Sequence, residues 1–425
     1  MLQRFKDYIL QQHLFSPGEE VLLAVSGGRD SVCMAHLFHQ AGFPFSIAHC
    51  NFHLRGDDSD RDEAFVRRLA ADYGVPCHVA QFDTRAVAAA TGESIEEAAR
   101  RLRYEYFASL LTSLSPTSLS PKIVATAHHR DDSIETFFLN LFRGTGIAGL
   151  HGIRPISNVS DGSAAGITVV RPLLCFSRAD IDAYIEENHL EYVEDTTNAE
   201  LDARRNQIRH RLMPLLRELY PSVDATMAAN IERLHDTELL YKEYIETLRS
   251  QLVKPYPSRL PLDILSLDLP TFRSHFPLSS QHCFSFPWCS VPPRGATFHF
   301  SLFYELLRPY GFNASTVRDI LSVLERQYPA GNNPSGQLFY SPTHVAELHR
   351  GQLLIAPDVE PAPGRHPQPG DRIRLKRGSR LLSDYLKDLG LSRIERRHVL
   401  LRVNADGFVE LIADGQLGRQ ARDDK

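Results

Sequence analysis

The sequence predicts an α/β protein: a parallel-sheet domain, then a helical connector domain, then a small basic C-terminal α+β domain. Three observations predict it. In the first half, short apolar runs alternate with stretches of helical periodicity, as in a parallel α/β sheet. Helical spacing resumes over 228–252. The last segment, beyond a Pro/Gly-rich stretch at 360–370, is dense in arginine.

The apolar run Val21-Leu22-Leu23-Ala24-Val25 suits a strand buried on both faces. A glycine-rich loop follows, then a helix expected over 30–40. The second strand is expected over 45–52, and a helix over 60–73 is ended by Gly74 and Pro76. The third strand falls at 77–82. Ser94 and Glu97 form a capping box that opens a helix running to about 111. The fourth strand, 123–127, precedes a helix near 131–142. Residues 169–174 supply a fifth strand edge ended by Pro172, and Ser177 caps an amphipathic stretch over 179–188. Segments 113–121 and 158–166 read as an exposed loop and a polar insertion. Boundaries near Pro221 and the 360–370 linker divide the chain into 1–220, 221–358 and 359–425.

A length of 425 residues fits two or three domains at roughly 150 residues each. Hydrophobic and charged fractions of 43% and 23% are those of a soluble globular protein. No apolar run approaches the roughly 18 residues of a membrane span, and 1–15 reads as an amphipathic helix, not a signal peptide. The six cysteines are scattered, without CxxC spacing, which argues against a zinc ribbon and for a reducing compartment. The expected location is the cytoplasm. A net charge of −5 does not advertise nucleic-acid binding. Local distribution is what a phosphate backbone feels, and 204–211 and 372–397 are both rich in arginine.

The strongest local signal is Ser26-Gly27-Gly28-Arg29-Asp30-Ser31, between a buried strand and a helix. Unpaired amides and the helix dipole favour an anion there, and adjacent glycines let phosphate oxygens approach the backbone. Ser26 and Ser31 add hydroxyl donors. Asp30 would repel bare phosphate, so it makes sense as a ligand of Mg²⁺ carried by that phosphate. The bland alternative is a tight turn that binds nothing. Walker A spacing is absent, which disfavours kinases and GTPases of that class.

This loop resembles that of the PP-loop ATP pyrophosphatases, SGGxDS, which split ATP between the α and β phosphates to adenylate a carbonyl oxygen. The order and spacing of further pieces resemble the tRNA(Ile)-lysidine synthetase family: 24–31 (AVSGGRDS), 49–62, 96–104 (EEAARRLRY), 127–132 (AHHRDD), 143–146 (RGTG), 171–174 (RPLL) and 195–211. The likeness runs over nearly the whole chain, more weakly near 306–325 and at the end. It implies adenylation of the wobble cytidine of an isoleucine tRNA with a CAU anticodon, and then replacement of AMP by L-lysine. The implied cofactors are ATP and Mg²⁺; a homodimer is left open and no membrane is involved. The family commonly carries a second histidine three positions after His49. Here that position is Phe52, followed by His53.

On this reading Ser26, Gly27, Gly28, Arg29, Asp30, Ser31 and His128 bind the nucleotide, with Asp30 also holding the metal. Asp132 and Glu135, three apart on one helix face, bind Mg²⁺, anchor the lysine ammonium or remove its proton. Arg103 is the preferred functional residue of its helix, whereas Arg101 reads as solvated surface. Arg143 and Arg171 lie where they would reach phosphate. Arg205, Asn206, Arg209 and Arg211 form a basic helical face with thin acidic compensation nearby, an RNA contact once the family is considered. The terminal arginines would grip tRNA away from the chemistry. Three rival readings fit less well. A PP-loop tRNA thiolase needs paired cysteines, and Cys283 and Cys289 have the wrong spacing. A small-molecule AMP-forming amide ligase gives no reason for the basic terminal module. An RNA-binding scaffold with a degenerate loop conflicts with the intact loop.

Overall fold

The computed structural model describes all residues except 115–121, 160–165, 194–202, 261, 270–271, 273–299, 328–335, 376–377 and 413–425. Most of 113–121, the polar part of 158–166, Cys283, Cys289 and the basic pair Lys376 and Arg377 therefore lie outside the described residues. The chain forms two compact units, Met1–Leu239 and Leu240–Lys425.

The first unit is built on a six-stranded sheet in the order β3-β2-β1-β4-β6-β5. Its strands are β1 (Val21–Ala24), β2 (Phe45–Asn51), β3 (Cys77–Gln81), β4 (Ile123–Ala125), β5 (Ile156–Val159) and β6 (Ile167–Val170). All pairings are parallel except that of β5 with β6. Strand β1 is the central one, pairing Leu23 with Ile47 on one side and Leu22 with Val124 on the other. Its apolar run is accordingly buried.

Helix α1 (Leu2–Gln11) buries Phe5 and Ile9, while α2 (Arg29–Ala41) is buried continuously from Ser31 to Phe38. Phe38 is the hub of an aromatic cluster: Phe5 meets it edge-on and Phe15 stacks on it, each at 5.5 Å. Gly42 ends α2 and Gly74 ends α3 (Asp57–Tyr73), both left-handed. Ser94 and Glu97 exchange the expected capping bonds at the start of α5 (Ile95–Leu114). Ser177 and Asp180 do the same for α7 (Arg178–Glu187). Elements without a counterpart in the sequence reading include α4 (Thr84–Thr91) and the edge strand β5. The remaining helices of this unit are α6 (Arg130–Arg143), α8 (Ala203–Gln207), α9 (Met213–Leu219) and the start of α10 (Val223–Leu252). The division of the chain falls inside α10 rather than at 220/221. Met227 and Ile231 of α10 pack with Ile134, Ile208 and Met213, which holds its first turns in the first unit.

The second unit holds an antiparallel five-stranded sheet over 253–357 and a four-stranded sheet over 372–412. Helices Phe300–Leu307 and Ala314–Gln327 cover a core that includes Phe303, Leu306, Ile320 and Leu348. A smaller core around Ile373, Leu386 and Leu401 belongs to the terminal sheet. Buried Glu347 accepts the amides of Arg393 and Ile394 at 2.8 and 2.9 Å, tying the two parts together.

Phe38 is 0% exposed, so Phe38→Ala is expected to remove about 3–5 kcal/mol of unfolding free energy from the first unit in a urea titration. A loss under about 1 kcal/mol would mean that the surrounding rings close the cavity.

Candidate active site

The strand order turns around between β1 and β4, so the chain leaving each strand diverges there and opens a crevice at the sheet's carboxyl edge. A cleft of about 650 Å³ occupies that place, lined by the 26–31 loop, by Thr126 to His128, and by Arg100, Arg103 and Tyr104 of α5. Gly27 has φ +92° and its Cα faces Phe65 and Val66, so no larger residue sits there without strain. Gly28 is the N-cap of α2 and supplies no capping side chain. The first intrahelical bond runs from Val32 N–H to Gly28 O at 3.0 Å. The amides of residues 29–31 therefore precede the helical ladder at the dipole's positive end.

The two serines act differently from expectation. Ser31 Oγ donates to Gly28 O at 2.8 Å and accepts Ser26 N–H at 3.2 Å, and Ser26 Oγ accepts Gly28 N–H at 3.3 Å. Their hydroxyls bond within the loop, and both serines still line the cleft. Arg29 lines the cleft with its guanidinium already engaged: it donates to Asp182 at 2.7 Å and to the Tyr192 hydroxyl at 2.9 Å, and lies over the Tyr192 ring. Val193 N–H reaches Gly27 O at 2.9 Å, so 192–193 clamps the loop from outside.

Across the cleft, α6 brings the predicted carboxylates together. Asp132 Oδ2 accepts His129 N–H at 3.0 Å, and Arg209 Nη2 reaches Asp132 Oδ1 at 3.3 Å. The same guanidinium grips Glu135 through two bonds of 2.7 and 2.9 Å, with Arg205 Nε 3.3 Å away. Burial pushes the Asp132 carboxyl up, but His129, His128 and the His129 amide together hold it below the usual range. For Glu135, burial outweighs Arg209 and the pKa is raised. Asp30 is also raised, chiefly by burial, although His129 and Arg178 oppose this and Arg178 Nη1 bonds its Oδ1 at 2.6 Å. His129, 1% exposed, lies 3.4 Å from Asp132 and 3.8 Å from both Asp30 and Asp131, with neither ring nitrogen hydrogen-bonded. His128 faces the cleft with Nδ1 3.0 Å from Thr126 Oγ1.

Comparison with known proteins gives this geometry a family. A domain family described as the PP-loop domain matches residues 2–216, and the TilS substrate binding domain matches 298–358. The tRNA(Ile)-lysidine synthase of Bacteroides thetaiotaomicron is 37% identical over 76% of this chain and 66% of its own length. That of Porphyromonas gingivalis is 37% identical over 84% of this chain and 68% of its own. That of Chlorobaculum tepidum is 40% identical over 60% of this chain and 73% of its own. The chain belongs to the tRNA(Ile)-lysidine synthase family. It spans about two thirds to three quarters of the length of these relatives.

Other residues expected to serve a lysidine synthase lie in mixed places. Arg103 lines the cleft. Arg171 does not: it is buried, donating to Arg154 O at 2.7 Å and Ser157 Oγ at 3.0 Å, which fastens the approach to β5 and the strand itself. Arg143 is exposed at the end of α6, where Gly144 has the positive φ of a helix terminus. The face carrying Arg205, Asn206, Arg209 and Arg211 departs most from expectation. It passes from α8 into a π-helical turn, Ile208–Leu212, before α9. Arg205 and Arg209 point inward to Glu135, so acidic compensation is close in space although some 70 residues away in sequence. Arg211 is exposed. The terminal basic stretch is also partly neutralised, with Arg374 on Asp406 and Arg380 on Asp388. Residues that sequence reasoning missed are His129, Arg178 and Tyr192; only the motif around His128 hinted at the first.

Burial pushes the His128 imidazole down to about 4, aided by Arg171, Arg205 and Arg103 and opposed by Asp132. Between about pH 6.5 and that value the unfolded chain binds a proton that the native chain does not, so stability falls as pH falls. His128→Gln is expected to flatten that part of the urea midpoint-against-pH curve; an unchanged slope would show that His128 titrates normally.

Proposed function

We propose that the chain adenylates the C2 carbonyl oxygen of the wobble cytidine in an isoleucine tRNA with a CAU anticodon. The ε-amine of lysine then attacks C2. Pyrophosphate leaves in the first step and AMP in the second, and the product is lysidine. The observation carrying this reading is the side-chain-poor turn whose amides open into a cleft at the strand-order reversal, in a chain of this family.

The amides at the start of α2 are assigned to the departing phosphates of ATP. Asp30 fits a Mg²⁺ ion: it is a hard oxygen donor at the phosphate end, and nearby Asp132 disfavours its bare charge. When bound, that ion would supply charge neutralisation on the leaving pyrophosphate. Lysine in water is protonated at neutral pH, so its attack needs a proton acceptor. Glu135, with its raised pKa, suits that task, and Asp132, held ionised, suits the ammonium before it is deprotonated. A cavity of about 430 Å³ beside Glu135 also exposes Asp131, Arg209 and Arg217, a set of both signs that matches an amino-acid zwitterion. Arg205 and Arg209 are assigned to holding Glu135, and exposed Arg143 and Arg211 to tRNA phosphate.

Incubation with ATP, labelled lysine and bulk tRNA is expected to attach lysine to RNA; sulfur transfer, or AMP release without tRNA, would move the chain to another reaction. Asp30→Ala is expected to lower pyrophosphate release by roughly 10²–10³-fold or more, and full activity in that variant would reject its assignment. Affinity for tRNA should fall steeply with added salt, since phosphate contacts release counterions. A flat response would contradict the backbone grip.

A further inference from the structure

Beside the cleft, aromatic side chains form a series with a guanidinium at each end. Arg103 Cζ lies over the Phe52 ring at 5.4 Å, and Phe52 stacks on Phe82 at 5.7 Å with 23° between planes. Phe82 meets Tyr106 edge-on at 6.3 Å, and Tyr106 leads through Phe107 to Tyr104. Arg100 Cζ lies over Tyr104 at 5.2 Å. Both arginines come from α5, three positions apart and so on neighbouring parts of one helix face.

Their charge state of pairing is the informative part. Arg101, between them, is bonded to Glu93 and Glu105. Among the described residues, no carboxylate pairs with Arg100 or Arg103. A guanidinium resting on a π face is held by the ring quadrupole yet keeps its whole charge and its in-plane N–H donors. A carboxylate would have fixed it and neutralised it together. Arg103 also borders two spaces, the 650 Å³ cleft and an adjoining cavity of about 340 Å³, which share Ser26, Cys50, Phe52 and Arg100 in their walls.

The main chain at Phe52 is firmly placed. Its carbonyl accepts the Thr84 hydroxyl at 3.0 Å. The next amide, His53 N–H, donates to Asn51 Oδ1 at 3.0 Å, with His53 at φ +48°. The Asn51 amide is held in turn by Asp60 and Glu63 at 3.0 and 3.1 Å. Backbone anchors on both sides fix where the side chain leaves the main chain, and Phe82 stacks against the ring.

We infer that Phe52 is a positioning residue: its ring holds Arg103 as an un-neutralised cation between the cleft and the adjoining cavity, where the guanidinium meets a phosphate oxyanion during adenylation. The inference rests on the adenylation reading given under Proposed function. The oxyanion belongs to ATP or to the tRNA backbone, and kinetics separate the two.

The test uses the full chain and pyrophosphate release with ATP and tRNA varied separately. Phe52→Leu keeps an apolar side chain of similar bulk without a π face, and Phe52→Trp keeps the face. Phe52→Leu is expected to lose about five- to tenfold in kcat/KM, for ATP if the nucleotide supplies the oxyanion and for tRNA if the RNA does. Phe52→Trp is expected to restore activity to within about twofold. In an Arg103→Ala background, Phe52→Leu should add less than about twofold, because the ring acts through that arginine. Effects that multiply, a Phe52→Trp as impaired as Phe52→Leu, or a wild-type Phe52→Leu beside an impaired Arg103→Ala would each overturn the inference. If Arg103→Ala is itself fully active the inference also falls, while loss of activity in Asp30→Ala leaves the adenylation reading standing.

Discussion

The first unit depends on a backbone constraint at a single turn. Strand β1 is the middle of the sheet and is buried on both sides, so the chain leaving it must reverse at once into α2, which is buried over most of its length. Gly27 takes the left-handed conformation that permits this, and Gly28 begins the helix without a capping side chain. Three amides are thereby left outside the helical ladder. Elsewhere a Ser or Asp side chain completes such a terminus, as at Ser177 and Asp83. Here no side chain completes it, and the two serine hydroxyls bond within the turn.

The second constraint is electrostatic. Asp30, Asp132 and Glu135 are drawn into a small, poorly solvated region, and each needs a cation within reach. Arg178 serves Asp30, and Arg209 serves both carboxylates of α6. All these cations come from segments remote in sequence. The site therefore exists only once α7 and the helical segment after 203 have docked. Breaking one partner of such a buried pair costs more than the pair contributes, because a bare charge remains. Docking of the later elements and formation of the site are thus one event.

How much was legible in the sequence follows from this. The apolar run of β1, the capping box at Ser94, the cap at Ser177 and the glycine that ends α3 are local signals, and each marks the element it announced. The loop was legible for the same reason: its meaning lies in six adjacent residues. Strand β5 was not, being a half-exposed antiparallel edge with no continuous apolar run. Helix α4 was missed although Asp83 and Gly92 bracket it as caps. Within the site, the shared helix face of Asp132 and Glu135 was readable from their spacing, while a role for them came from the family resemblance. The inward turn of Arg205 and Arg209, the confinement of His129 and the burial of Arg171 were not, because each depends on a partner in another element. The same limit hid the pairing of Arg103 with Phe52.

The π-helical turn at Ile208–Leu212 carries one residue more than an α-helix would need over the same path. Upstream of that surplus, Arg205 engages Glu135; downstream, Met213 sits in the apolar cluster and Arg217 reaches Asp131 and Asp224. A surplus residue wound as regular α-helix would swing everything after it by roughly 100° about the axis. The wider turn takes it up locally, so Met213 and Arg217 keep their faces while Arg205 keeps Glu135. The surplus is a bulge in the winding that leaves the helical rod in phase on both sides.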